Sequence, residues 1–233
     1  MKIFIGYDSD QKEASTVCEF SLRSNSHSNL DIQHIKKDEL IAKGVCYPDD
    51  KRPASTQFAY TRFLTPYLSN YEGWSMFVDS DFIFTTDISE LFDHIYNDDT
   101  ANTKAMYCVH HPEYVPQHET KFYNRPQLTF PKKNWSSLML FNNAHPSTRH
   151  LNPESVNRTS PQWLHRFLWM DETTELGSIP LTWNWLVGEY GLIGTSDDIL
   201  PKGIHYTNGG PFNEVYGQDY EYVWNRYKSN SRC

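Results

Sequence analysis

Trp74-Ser75-Met76-Phe77-Val78-Asp79-Ser80-Asp81-Phe82-Ile83-Phe84 decides how this chain is read. An apolar run leads into two carboxylates two residues apart, and a second apolar run follows. Ionised aspartate is costly to bury unless something positive meets it. In an extended chain residues i and i+2 point to the same side, so Asp79 and Asp81 are expected to converge on one object. A divalent cation fits, because hard carboxylate oxygens suit Mg²⁺ or Mn²⁺. A cation held this way can accept a diphosphate on its open positions and stabilise it as a leaving group. Asp-x-Asp triplets also occur in solvated turns and helix caps. This one ends a buried-looking strand, and open α/β sheets bind ligands beyond the carboxyl ends of their strands.

Around this stretch the chain alternates strands and helices. Ile3-Phe4-Ile5-Gly6-Tyr7-Asp8-Ser9 reads as a short buried strand running into a glycine-containing loop. Ala14, Val17, Cys18, Phe20, Ser21 and Leu22 are spaced for one helix face, and Asp31 to Ile35 alternates like a strand. Strand, helix and strand predict a parallel unit. A helix is expected from Ser55 onward, capped by Ser55 or Thr56, and a short one from Asp87 to Phe92 capped by Asp87. Lys104 to Val109 and Ser137 to Phe141 read as strands, Gln162 to Met170 as an amphipathic helix, and Tyr220 to Tyr227 as a final helix. Pro112 to Pro131 has no clear period and is expected to be a long functional loop. No repeat, linker or domain boundary appears. The expectation is one domain over 1–233, α/β in class, with a mostly parallel central sheet flanked by helices.

The 233 residues carry a formal charge of −8, which argues against non-specific nucleic-acid binding. Lys36-Lys37 and Lys132-Lys133 read as isolated, solvated pairs. Aromatic residues reach 15%, enough to build the core and to stack on sugars or bases. Cys18, Cys46, Cys108 and Cys233 form no Cys-x-x-Cys pair, so no zinc ribbon is indicated, and a disulfide framework is not expected. The strand at Lys2 leaves no room for a signal peptide, and no apolar stretch reaches membrane-spanning length. A cytoplasmic protein is expected. Asp49-Asp50, Asp98-Asp99 and Asp197-Asp198 read as solvated turns, and His110-His111 as part of a polar loop that could touch an acceptor.

His205-Tyr206-Thr207-Asn208-Gly209-Gly210 is the second signal. A histidine at a strand end could add a third metal ligand, and two glycines let backbone N–H groups approach a diphosphate. An O,O,N ligand set tilts the choice toward Mn²⁺ over Mg²⁺.

Four ordered patches resemble the nucleotide-sugar glycosyltransferases of the GT-A fold, most closely the family 8 type that includes glycogenin and bacterial galactosyltransferases. They are Ile3 to Asp8, Tyr60-Thr61-Arg62-Phe63-Leu64 with Phe77 to Asp81, Leu181-Thr182-Trp183-Asn184-Trp185-Leu186, and His205-Tyr206-Thr207 before Gly209-Gly210. The resemblance implies a metal-dependent transferase of hexosyl type, moving a sugar from a nucleotide diphosphate donor, UDP-linked, to a hydroxyl acceptor such as a glycan. It implies that Asp79, Asp81 and His205 bind Mn²⁺ or Mg²⁺. Gly6, Tyr7, Asp8 and Ser9 would form the nucleotide loop, with Tyr7 and Asp8 near the base. Arg62 would lie near the donor's sugar or phosphates, and Ser80, Ser136 and Ser137 would line the donor site. Gly209 and Gly210 would face the diphosphate. The nucleotide side would occupy about 1–110 and the acceptor side about 111–233.

The chain departs from the family in three places. Pro211, Phe212 and Asn213 stand where a lysine usually reaches the diphosphate. Trp135-Ser136-Ser137 replaces an Asn-Ala-Gly patch. The Asp-Gln pair near the reacting carbon has no clean match, so a retaining mechanism is not carried over. An inverting reaction needs a carboxylate to take the acceptor's proton, and Asp171 and Glu189 are the candidates. Two other readings stand beside this one. A nucleotidyltransferase making nucleotide sugars is weakened by the lack of a Gly-rich basic loop at the N-terminus. A carbohydrate-binding module without catalysis would draw on Trp135, Trp163, Trp169, Trp183, Trp185 and Trp224.

Overall fold

The computed structural model describes residues 1–48, 50–112, 131–193 and 199–231, with the backbone of 120–121 and 125–126. Most of the loop expected between Pro112 and Pro131, together with Asp49, Asp197-Asp198 and Cys233, lies outside the described residues.

The chain opens as its apolar pattern predicts. Strand β1 (Lys2–Gly6) leads to helix α1 (Lys12–Asn25) and strand β2 (Asp31–Ile35). β1 and β2 pair in parallel with Ile3 opposite Ile32. Ala14, Val17, Cys18 and Leu22 of α1 are buried, the three- and four-residue spacing of a helix laid against a sheet. Then follow α2 (Lys37–Ala42), α3 (Thr65–Leu68), β3 (Trp74–Val78), β4 (Phe82–Phe84), α4 (Ser89–Tyr96) and β5 (Met106–Cys108). The two-residue strands β6 (Thr120–Lys121) and β7 (Arg125–Pro126) pair with each other. The remainder comprises β8 (Leu138–Asn142), α5 (Pro153–Arg158), α6 (Pro161–His165), α7 (Glu172–Glu175), β9 (Leu176–Ser178), β10 (Trp185–Leu186), β11 (Gly203–His205) and α8 (Glu221–Asn230).

The main sheet runs β2-β1-β3-β8-β5-β9, and β8 alone is reversed against the other five. It is therefore mostly parallel. Apolar side chains pack on both of its faces, the arrangement that near-continuous apolar strands require. A smaller sheet, β10-β11-β4, pairs β4 antiparallel to β11. The chain crosses from the main sheet to the small one between β3 and β4, which is where Asp79-Ser80-Asp81 lies. β1, β3 and β5 end, and reversed β8 begins, along one edge, because Val78 faces Leu138 and Cys108 faces Met139.

Three expectations need correction. Residues 55–60 are turns, and helical structure begins only with a 3-10 segment at Thr61–Leu64 that passes into α3. Pro66 has no N–H to bond the Arg62 carbonyl, which instead takes the Thr65 hydroxyl at 2.8 Å. The helix expected over Gln162–Met170 stops at His165. Phe167 turns left-handed (φ 60°) and Leu168 N–H bonds back to the Trp163 carbonyl at 3.0 Å, burying Phe167 and Trp169. The third concerns the lysines. Lys132 pairs with Glu172 and bonds the Arg166 carbonyl, and Lys133 is only 8% exposed, so this pair is not solvated.

Ile88, not Asp87, holds the N-cap position of α4; Asp87 lies one residue before it and accepts from Ser89 N–H at 2.9 Å. Cys18, Cys46 and Cys108 are buried and free. Trp183 is a core residue. Among the described residues no helix is long and apolar enough to cross a membrane.

Candidate metal centre and donor edge

Asp79 and Asp81 converge, but through a turn rather than an extended strand. Two backbone bonds fix that turn. Asp79 N–H donates to the Ser137 carbonyl at 2.8 Å, and Tyr206 N–H donates to the Asp81 carbonyl at 2.9 Å. The first ties the turn to the start of β8 and the second to the end of β11. β11 is in register with Phe82 opposite His205, and the two rings stack at 4.3 Å. One ligand atom each from Asp79, Asp81 and His205 consequently fall within 4.8 Å of one another. His205 Nε2 lies 3.3 Å from Asp81 Oδ1. Asp81 is 9% exposed and His205 1% exposed, and Asp81 Oδ1 is buried without a hydrogen-bond donor. A buried carboxylate oxygen facing an imidazole nitrogen across that gap fits a cation, and two oxygens with one nitrogen are a sound donor set for a divalent metal.

Arg62 stands behind the centre. Its Nη1 lies 2.7 Å from Asp79 Oδ1 and donates to the Ser136 carbonyl at 2.8 Å. Phe58 and Phe77 flank the guanidinium. Arg62 thus sets the orientation of Asp79 and joins it to the start of β8. Ser136 bonds His165 Nδ1 at 2.9 Å. Burial, then the charge of Arg62, pushes His165 down to about 3, so its ring is neutral and can accept that hydroxyl.

The other sequence candidates divide. Asp8 is buried at the end of β1, and its two oxygens accept Asp10 N–H (3.1 Å) and Gln57 N–H (3.0 Å), so this carboxylate anchors the loop before Arg62. Ser9 is exposed and accepts from Gln57 Nε2. Gly6 is required by packing, since a Cβ there would meet the Phe58 ring at 2.6 Å. Tyr7 is half-buried, with Lys36 over its ring. Ser80 is fully buried and its hydroxyl has no partner among the described residues. Ser137 donates to the Asn134 carbonyl at 2.7 Å. Gly209 (φ 90°) and Gly210 are buried in the loop after His205. Glu189 reaches that loop, accepting from Asn208 Nδ2 at 2.9 Å. Asp171 is exposed and caps α7 through Thr173 N–H; it is not part of the metal cluster.

Three nearby residues, Asn184, Asn134 and His165, carried no role in the sequence reading, and His111 was expected elsewhere. Asn184 is fully buried and bonds His205 Nδ1 at 2.9 Å. A polar amide between two tryptophans was a visible signal, since buried amides are held for their hydrogen bonds. Asn134 and His165 support the start of β8 and gave no sequence signal. His111, expected in a polar loop, is 3% exposed and bonds Tyr190. Burial, then His205 and His110, pushes it down to about 3.

No family model matches the chain. Solved structures match its fold. GlyE, a glycosyltransferase of Streptococcus pneumoniae TIGR4, superposes with a TM-score of 0.63 at 15% identity, over 97% of this chain and 59% of that one. The galactosyltransferase LgtC, solved with donor and acceptor sugar analogs, gives 0.58 at 10% identity over 100% of this chain and 95% of that one. Mouse xyloside xylosyltransferase 1 gives 0.56 at 15% identity over 88% and 97%. The chain thus spans less than two thirds of GlyE but nearly all of the latter two. The shared architecture is the GT-A fold of glycosyltransferases. In sequence the chain is 41% identical over 215 residues to Protein CDI of Arabidopsis thaliana, covering 92% of this chain and 80% of that protein. With that identity over that span, the chain belongs to the same family as Arabidopsis Protein CDI.

Proposed function

We propose that the protein is a glycosyltransferase that moves a sugar from a nucleotide diphosphate donor, UDP-linked, to a hydroxyl of a glycan acceptor. The observation that carries this reading is the convergence of Asp79, Asp81 and His205 within 4.8 Å at the carboxyl edge of a GT-A sheet. Asp79, Asp81 and His205 would hold Mn²⁺ in preference to Mg²⁺, because imidazole is the poorer ligand for magnesium. When bound, the cation supplies Lewis-acid charge to the departing diphosphate.

This chain's residues do the rest. Arg62 orients Asp79 rather than reaching into solvent. Gly209 and Gly210 keep side chains out of the diphosphate's path. Tyr7, with Asp8 holding its loop, receives the base, and Ser80, Ser136 and Ser137 stand in the buried wall behind the donor. Residues 1–110 form the nucleotide side and 111–233 the acceptor side of one domain. For an inverting reaction Glu189 is the better of the two proton acceptors, because Asn208 holds it beside the glycine loop while Asp171 is spent on a helix cap.

The test is to incubate the protein with UDP-hexoses and UDP-xylose, glycan acceptors, and either Mn²⁺ or EDTA. Nucleotide release and the new glycoside are then followed by NMR. Acceptor-dependent UDP release with Mn²⁺ alone is expected. No release or transfer from any UDP-, GDP- or dTDP-sugar would overturn the reading.

A further inference from the structure

We infer that Asn184 is a positioning residue that fixes the tautomer of His205 and so presents a bare Nε2 to the metal centre. The inference rests on the metal reading above and follows from hydrogen-bond polarity alone. The starting point is the Asn134 carbonyl, which can only accept. Ser137 Oγ lies 2.7 Å from it, so the single Ser137 proton is directed there. Ser137 Oγ must then accept from its other close neighbour, the Asn184 amide at 2.8 Å, and that amide atom must be Nδ2. Nδ2 also points toward the Asn134 carbonyl, at 3.4 Å. The remaining amide atom, Oδ1, therefore faces His205 Nδ1 at 2.9 Å and can only accept. Nδ1 must carry the proton. In neutral imidazole Nε2 is then a lone pair, and it is the atom that lies 3.3 Å from Asp81 Oδ1.

Every link is closed inside the protein. Asn184 is fully buried, Ser137 is buried, and their bond has no access to solvent. The anchor suits its residue type: Asn134 holds a left-handed conformation (φ 64°, ψ 1°), which asparagine tolerates better than most residues. Its side chain also accepts from Thr207, binding the loop after His205 to the same anchor. The chain from Asn134 to His205 thus connects the start of β8 with the end of β11, the same two elements that fix the Asp79–Asp81 turn. The opposite tautomer would set Nδ1 and Asn184 Oδ1 lone pair to lone pair; turning the amide would give Nδ1 a donor but set Oδ1 against the Ser137 hydroxyl, whose proton is committed to the Asn134 carbonyl. Outer partners of metal-bound histidine set ring orientation and ligand strength in this way.

The experiment uses the full chain. Long-range ¹H–¹⁵N NMR on metal-free protein, followed across pH with His205→Gln as the assignment control, should show the neutral form of the His205 ring protonated at Nδ1 and bare at Nε2. The reverse pattern overturns the inference whatever the metal does. Calorimetric titration with Mn²⁺ and with Mg²⁺ then compares variants checked for native melting. Asn184→Leu should weaken Mn²⁺ by roughly 10- to 100-fold and Mg²⁺ far less. Asn184→Asp keeps an acceptor for Nδ1–H and should retain Mn²⁺ binding, and Ser137→Ala should fall between the two. Equal losses in Asn184→Leu and Asn184→Asp, or none in either, would overturn the positioning role. A wild-type chain that binds neither metal would instead sink the metal reading, and the NMR result would still decide the tautomer.

Discussion

Asp8 and Asp81 are both buried aspartates beyond the ends of neighbouring strands, at 5% and 9% exposure. Their surroundings differ completely. Both Asp8 oxygens accept backbone N–H groups, from Asp10 and Gln57. Asp81 Oδ1 has no donor and faces His205 Nε2 at 3.3 Å. A carboxylate satisfied by backbone donors is structural, while one left with an unmet oxygen opposite a ring nitrogen asks for a cation. The end of β1 therefore shapes the edge, and the turn after β3 is where the proposed chemistry falls.

Substitution should separate the two most sharply in activity. Asp81→Asn should lower metal-dependent transfer by about 10³-fold, the equivalent of the several kcal/mol a Lewis acid supplies, with melting temperature held or raised. Equal transfer rates in Asp81→Asn and wild type would erase the contrast. Arg62→Met comes next. It strips the ion-pair partner from Asp79 where both side chains are largely buried, and urea unfolding should show a loss of about 3–5 kcal/mol. Asp8→Ala should lose about 2–4 kcal/mol through two charge-assisted bonds, with Mn²⁺ affinity, read by calorimetry, unchanged. A stable Asp8→Ala chain that fails to bind Mn²⁺ would place Asp8 with the chemistry instead.

The last effect is confined to acid. His111 has its pKa lowered by burial from 6.5 to about 3, so the unfolded chain binds its proton first. Stability from this group is complete above about pH 6.5 and is lost as pH falls toward 3, with a slope of at most about 1.4 kcal/mol per pH unit. His111→Gln should flatten the urea-unfolding midpoint between pH 6.5 and 4.5. An unchanged slope would mean that His111 is not buried as a neutral ring.

The strands and the candidate cluster of Asp79, Asp81 and His205 were legible because they depend on local pattern. Apolar runs of three or four residues gave β1, β3 and β8, and the triplet with a distant strand-end histidine gave the cluster. What stayed hidden depends on tertiary partners. Lys132 looked solvated until the fold brought Glu172 beside it, and Phe167 looked helical until its left-handed turn buried it. Arg62 reads as a donor contact in sequence, whereas the structure commits it to Asp79 and the Ser136 carbonyl. The chain from Asn134 through Ser137 and Asn184 spans fifty positions, and no spacing rule could have joined it.

The central claim is that the turn after β3 is a metal–diphosphate site. The most direct test is calorimetric titration of UDP into the wild-type chain and Asp81→Asn, with Mn²⁺ and then with EDTA. The account predicts UDP binding in wild type that disappears on chelation and is absent from Asp81→Asn with Mn²⁺ present. UDP binding that survives both EDTA and the loss of the Asp81 carboxylate would contradict it.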